Sequence, residues 1–253
     1  MNYFFFLSGP NLDCELQIPR FRNSGKLIPE ITLFEVRIGK GYWRIEEAIC
    51  KCDKNFYYLE SNKENKDYVY FLALPSDVNS KQVKNLYNYN SYTQTVPDYR
   101  ANLCLTNRNG GFTSYQSEYP FKMTLQRGSL ISSVSTLLNK NVSSNSIFIK
   151  NIFHEPINEE YQAYLVSKKE GKVLKEYRIF SNSTNKIDLL PEDICVENYI
   201  VAKGFLGIPV YLSKNESGYM SMEHTHPPHS NIKGKNQFQL VSKLRNELLE
   251  IVN

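Results

Sequence analysis

From Glu30 onward, apolar and polar residues alternate with a period of two along most of this chain, as half-buried β-strands require. Phe34, Val36 and Ile38 share one face of the first such run, and residues 42–49 and 56–59 make two more. Residues 68–74 form a near-continuous apolar strand that stops at Pro75-Ser-Asp77. The Tyr- and Asn-rich stretch 79–99 has little aliphatic character and reads as a long loop or irregular edge. Residues 100–107 form a strand with Leu103 and Leu105 on one face. It turns at Asn109-Gly-Gly111, whose residues tolerate positive φ, and returns through 112–123.

From Ile147 the spacing tightens. Strands are expected at 147–153, 161–167, 173–180, 187–190, 199–202 and 208–212, separated by Asn, Pro and Gly turns. Only residues 237–252 have helical periodicity, with Phe238, Val241, Leu244, Leu248 and Ile251 on one face. At the N-terminus the short apolar run 3–7 lacks a preceding basic region, so a first strand is expected there rather than a signal peptide. Ser117–Met123 and Gly204–Tyr211 each place a proline at the start of a short apolar strand, a faint internal echo. The expected fold is therefore all-β: Ig-like β-sandwiches, two in tandem, with a short C-terminal helix. An N-terminal β-domain would span residues 1–125, and a C-terminal sandwich with its helix would span 126–253.

The succession within 147–212 of strand, Asn/Pro turn, strand, Lys-Glu-Gly hairpin, strand, Asn-Ser-Thr turn, Ile-Asp-Leu and Ile-Pro-Val resembles small bacterial Ig-like domains of the sensory-rhodopsin-transducer type. The resemblance covers about a quarter of the chain and brings no catalytic motif. It implies a carbohydrate-binding or interaction module more readily than an enzyme.

Composition narrows the classes. The 18 Tyr and 14 Phe against one Trp suit pleated surfaces. The net charge of +4 is spread among alternating signs, with no basic run to mark a nucleic-acid partner. No apolar stretch reaches the length of a membrane span. Five cysteines are an odd number at irregular spacing, which fits reduced thiols in the cytoplasm better than a disulfide framework. Sequons occur at Asn141, Asn182 and Asn215, no more than an Asn- and Ser-rich chain produces by chance.

Two patches carry candidate chemistry. Glu223, His224, His226 and His229 lie in Gly218-Tyr-Met-Ser-Met-Glu-His-Thr-His-Pro-Pro-His229, which holds three of the four histidines. On a strand, His224 and His226 project in parallel and suit a divalent ion such as zinc or iron, with His229 folding back or His154 joining from a neighbouring strand. The alternative is a strand end whose Met220 and Met222 face is core. The second patch, Arg100, Asn102, Tyr115, Gln116, Ser117, Glu118 and Tyr119, joins amides to aromatic rings, a combination that fits sugar hydroxyls. The sequence thus favours a non-enzymatic binding protein for a carbohydrate or a partner protein. The alternative is a metal-binding protein or metal-dependent enzyme built on the histidines.

Overall fold

The computed structural model describes residues 2–9, 11–20, 30–62, 64–89, 100–108, 110–138, 142–224 and 235–253, and at position 224 the backbone alone. Strand makes up 48% of the chain and helix 13%. The chain begins with β1 (Asn2–Phe5), β2 (Leu12–Pro19), β3 (Thr32–Ile38), β4 (Trp43–Glu47), β5 (Lys51–Cys52) and β6 (Phe56–Glu60). It continues with β7 (Val69–Ala73), β8 (Gln82–Val83), β9 (Ala101–Asn107), β10 (Phe112–Ser117) and β11 (Tyr119–Pro120). A single helical turn, α1 (Phe121–Thr124), leads to β12 (Leu130–Ser133), β13 (Ser144–Lys150), β14 (Glu160–Ser167) and β15 (Lys172–Phe180). Then come β16 (Thr184–Leu189), β17 (Asn198–Ala202), β18 (Ile208–Lys214), β19 (Met220–His224) and α2 (Gln237–Ile251).

These strands make four sheets. Sheet A has the order β11-β1-β7-β3-β4-β8 and sheet B β10-β9-β2-β6-β5. Sheet C is β12-β17-β14-β15 and sheet D is β16-β13-β18-β19. The all-β expectation holds, but the tandem Ig-like sandwiches do not. The sheets form a ring resembling a four-bladed propeller, with one C-terminal helix.

The reason lies in sheet D. A sandwich sheet buries one face, whereas β13 is buried from Asn145 to Lys150 without a break. Its Ile147 and Ile149, with Ile187 and Tyr211, enter a cluster shared with Leu165, Ile179 and Ile200 of sheet C. Phe148, Val210, Leu212 and Met222 face the other way, into the cluster built by sheets A and B. One sheet thus serves two cores, and a strand covered on both faces loses its polar alternation. Sheet D also meets sheet B edge to edge: β10 lies beside β19. Gly111 there has φ +96°, and a Cβ on it would sit 2.1 Å from the Gly218 carbonyl oxygen.

Polar bonds tie the junction. Lys150 is fully buried, and its Nζ donates to the Asp67 carbonyl at 3.0 Å. The Thr184 amide donates to the Asp67 carboxylate at 2.9 Å. Asn182, one of the sequon asparagines, is buried at φ 55° and its amide nitrogen donates to the Glu155 and Ile157 carbonyls. Helix α2 docks on the outer face of sheet C through Leu248, against Val166 and Val201. Of its expected stripe, Leu244, Leu248 and Ile251 belong to this cluster, while Phe238 is 66% exposed. No helix among the described residues is long and apolar enough to cross a membrane.

Candidate functional site: the open face of sheet B

Strand β2 alternates strictly, with Leu12, Cys14, Leu16 and Ile18 buried and Asp13, Glu15 and Gln17 turned outward. Because the sheet is antiparallel and in register, outward residues line up across its strands. One row runs Gln116, Asn102, Gln17, Tyr58 and Lys51. A second row is Ser114, Cys104, Glu15 and Glu60, and a third is Phe112, Thr106 and Asp13. With strands about 4.8 Å apart, the first row spans roughly 19 Å.

The side chains of this face brace one another. Arg100 donates to Gln116 Oε1 at 2.7 Å and pairs with Glu118 at 3.2 Å, and Asn2 donates to the same Glu118 oxygen. Asn102 Nδ2 donates to Gln17 Oε1 at 3.2 Å, and Gln17 Nε2 donates to Glu15 at 2.7 Å. Tyr58 donates to the Asp53 carboxylate at 2.8 Å. That carboxylate also accepts the Asn55 and Phe56 backbone amides, which hold its pKa below the usual range. The Asn102 carbonyl and the Gln116 amide nitrogen make no hydrogen bond among the described residues. An acceptor and a donor therefore stand side by side on a directly paired position. Aromatic surface flanks them: Phe112, 60% exposed, at one corner, and the tilted Phe56–Tyr58 pair at 6.1 Å on the other side.

No family model, curated protein or solved structure matches this chain. Of the residues expected from sequence, Arg100, Asn102 and Gln116 lie together on this face, and Glu118 joins them through Arg100. Tyr115 has the opposite phase. It pairs with Leu103 and packs half-buried against the core, where burial first and then Glu223 raise its pKa. Ser117 is buried and donates to the Phe5 carbonyl at 2.8 Å. Tyr119 is also fully buried, in register with Tyr3, and its hydroxyl donates to the Leu206 carbonyl. The expected aromatic partners are thus core, and the rings that flank the amides are Tyr58, Phe56 and Phe112. Gln17, Glu15 and Tyr58 were missed because β2 and β6 lie far away in sequence, and Phe112, on β10 itself, because it was read only as the start of the returning strand. The strict alternation of residues 12–18 was the signal available.

The histidine patch is only partly visible. Position 224 pairs with Val210 at the end of β19, while its side chain, His226 and His229 lie outside the described residues. Met222 is buried and Glu223 exposed, so the methionine face of this strand is core. His154 is already occupied. Its Nδ1 lies 3.1 Å from the Thr124 carbonyl, and its Nε2 lies 2.6 Å from the Tyr87 hydroxyl and 2.9 Å from Glu155. The ring stacks on Tyr87 at 4.4 Å, and the backbone carbonyl accepts the Trp43 indole N–H at 2.8 Å. His154 works as a clasp between segments. Among the described residues no three His, Cys, Asp or Glu side chains gather closely enough to hold a metal ion.

Proposed function

We propose that this chain acts by binding, and that its ligand is a hydroxyl-rich molecule, a carbohydrate, laid on the open face of sheet B. The observation that carries this reading is the braced row Gln116, Asn102, Gln17 and Tyr58. A sugar hydroxyl both donates and accepts, so it is matched by an adjacent amide N–H and amide carbonyl. Flanking aromatic rings offer apolar faces to the ring C–H groups. The bonds among Arg100, Gln116, Gln17 and Glu15 fix the amides before a ligand arrives, which lowers the ordering cost of binding. A protein partner docking on the same face is the competing outcome.

The test is a glycan array probed with the full chain, followed by calorimetry on any retained glycan with wild type and an Asn102→Ala/Gln116→Ala double variant. Loss of two hydrogen bonds predicts at least a roughly tenfold weaker Kd, with the circular dichroism spectrum unchanged. An array with no retained glycan, or a double variant that binds like wild type, would overturn the proposal.

A further inference from the structure

Two charged groups on sheet B decide which way each amide of its outward row faces. Arg100 has only N–H groups to offer, so Gln116 turns its carbonyl to it, accepting at 2.7 Å. The Nε2 hydrogens of Gln116 stay uncommitted among the described residues. The Glu15 carboxylate only accepts, so Gln17 turns Nε2 to it at 2.7 Å and its carbonyl toward Asn102. Asn102 then spends its two N–H groups on Gln17 Oε1 and Cys104 Sγ, each at 3.2 Å, and Oδ1 is left to accept. Gln17 Nε2 keeps a second N–H beyond its bond to Glu15. Tyr58 spends its hydroxyl proton on Asp53 at 2.8 Å, so its oxygen can only accept.

The remaining capacity therefore alternates along the row: donor at Gln116, acceptor at Asn102, donor at Gln17, acceptor at Tyr58. These positions lie one strand apart, about 4.8 Å each and roughly 14 Å over the three steps. Sheet twist turns neighbouring strands about an axis that runs along the row, so the row stays straight. An extended peptide repeats its outward groups every 6.7 Å or so, roughly, and falls out of step with such a row. An extended pyranose chain with 1,4-diequatorial linkages advances by nearly one strand spacing per residue. Its successive residues are turned over, so each edge of the ribbon alternates between a hydroxyl side and a ring-oxygen side. That alternation has the same two-step period as the row.

Charge narrows the chain further. Arg100, Lys51 and Arg108, the cations around the row, are already paired with Glu118, Glu60 and Asp13 at 3.2, 3.2 and 3.0 Å. Uronate or sulfate groups would have to compete for these cations and would meet Glu15 beside the row. Granted that sheet B binds a carbohydrate, we propose that its ligand is a single neutral, linear glycan with 1,4-diequatorial linkages. It lies across the strands, with one residue on each of β10, β9, β2 and β6. The N–H groups of Gln116 and Gln17 meet ring-oxygen sides, and Asn102 and Tyr58 accept from the hydroxyl sides that alternate with them. At the β6 end the Phe56–Tyr58 pair gives the last sugar a ring to pack on.

Calorimetry on the full chain with cello- and chito-oligosaccharides of two, three, four and six residues provides the test. Malto-oligosaccharides, whose axial linkage curls the chain, are the control. In at least one diequatorial series the tetramer should bind at least roughly tenfold tighter than the dimer, since it makes two more polar contacts. The hexamer should gain little more, and the malto series should show no such gain. Tyr58→Phe removes the acceptor at the end of the row and should weaken the tetramer roughly fivefold. Four results overturn the assignment: a tetramer no tighter than the dimer in both diequatorial series, a malto series that gains equally, C6-oxidised cello-oligosaccharides that bind tighter than neutral ones, or Tyr58→Phe binding the tetramer as wild type does. In each of these cases an array glycan whose binding is lost in Asn102→Ala/Gln116→Ala keeps the carbohydrate reading of the face. No glycan retained at all overturns both. The length series uses wild type alone, so it decides the matter even if Tyr58→Phe misfolds.

Discussion

Replacing Lys150 with methionine probes how the two halves of the chain are joined. The ammonium is fully buried and, among the described residues, donates one hydrogen bond, at 3.0 Å to the Asp67 carbonyl, although it carries three N–H donors. Burial pushes its pKa down from 10.5 to about 8, against an upward pull from the Asp67 carboxylate. A tenfold change in proton affinity is worth about 1.4 kcal/mol, so the folded state carries a penalty of about 3 kcal/mol wherever Lys150 is charged. The sign follows from proton counting. Between about pH 8 and 10.5 the unfolded chain holds the proton and the folded chain releases it, so this group makes stability rise with pH across that window. Methionine keeps the stem and removes the charge. Lys150→Met should therefore be more stable than wild type by about 2 kcal/mol at pH 7, allowing about 1 kcal/mol for the lost hydrogen bond. That advantage should shrink by about 2 kcal/mol by pH 10. Urea denaturation of both proteins at pH 7 and pH 10 measures it. Burial also raises the pKa of Tyr3, Tyr70 and Cys14, which erodes stability in alkali, but equally in both proteins, so the difference isolates Lys150. A difference that stays constant from pH 7 to pH 10 would refute the argument.

Two further outcomes test the seam and the shared sheet. Gly110 and Gly111 both have φ +96°, but a Cβ meets nothing within 4 Å at Gly110 and lies 2.1 Å from the Gly218 oxygen at Gly111. Gly110→Ala should therefore cost about 1 kcal/mol of backbone strain, and Gly111→Ala at least about 2 kcal/mol more. Equal losses in denaturant titrations would show that the two edges do not press together. Because sheet D feeds both cores, unfolding should be a single transition. The fluorescence of Trp43, the one tryptophan, should then coincide with far-UV circular dichroism. Separated midpoints would show that the halves melt independently.

Much of the secondary structure was legible from the sequence because most strands here bury one face, and a half-buried strand writes its period into the chain. β3, β7, β9, β14 and β17 fall within about two residues of their expected places. Assembly was less legible, and β13 shows why. Its Ile147, Phe148 and Ile149 form a continuous apolar run, which says that both faces are covered but not by which neighbours. An Ig-like sandwich supplies one core for such a strand, whereas this fold supplies two. The buried Lys150 ends β13, although it lies inside the strand 147–153 expected from the pattern, and nothing local marks its side chain as buried. Its burial depends on Asp67, which lies 83 positions earlier.

The candidate site divides along the same line. Asn102 and Gln116 were found because a single hairpin brings them together, and local pairing is what a turn such as Asn109-Gly-Gly111 encodes. Gln17 and Tyr58 reach the same row through strand pairings from β2 and β6, and no local pattern records which strand lies beside which. Tyr115 and Tyr119 misled for a related reason. Tyrosine serves equally well as a core ring with a satisfied hydroxyl and as a binding surface, and only the phase of the strand within its sheet separates the two roles. Gln116 faces outward and Tyr115 inward because β10 pairs in a register that sets Asn102 opposite the first and Leu103 opposite the second. A one-residue slip would exchange them, placing a tyrosine on the open face and an amide in the core. The burial of Leu103, at 0% exposure, is what forbids that slip and so holds Asn102 and Gln116 toward solvent.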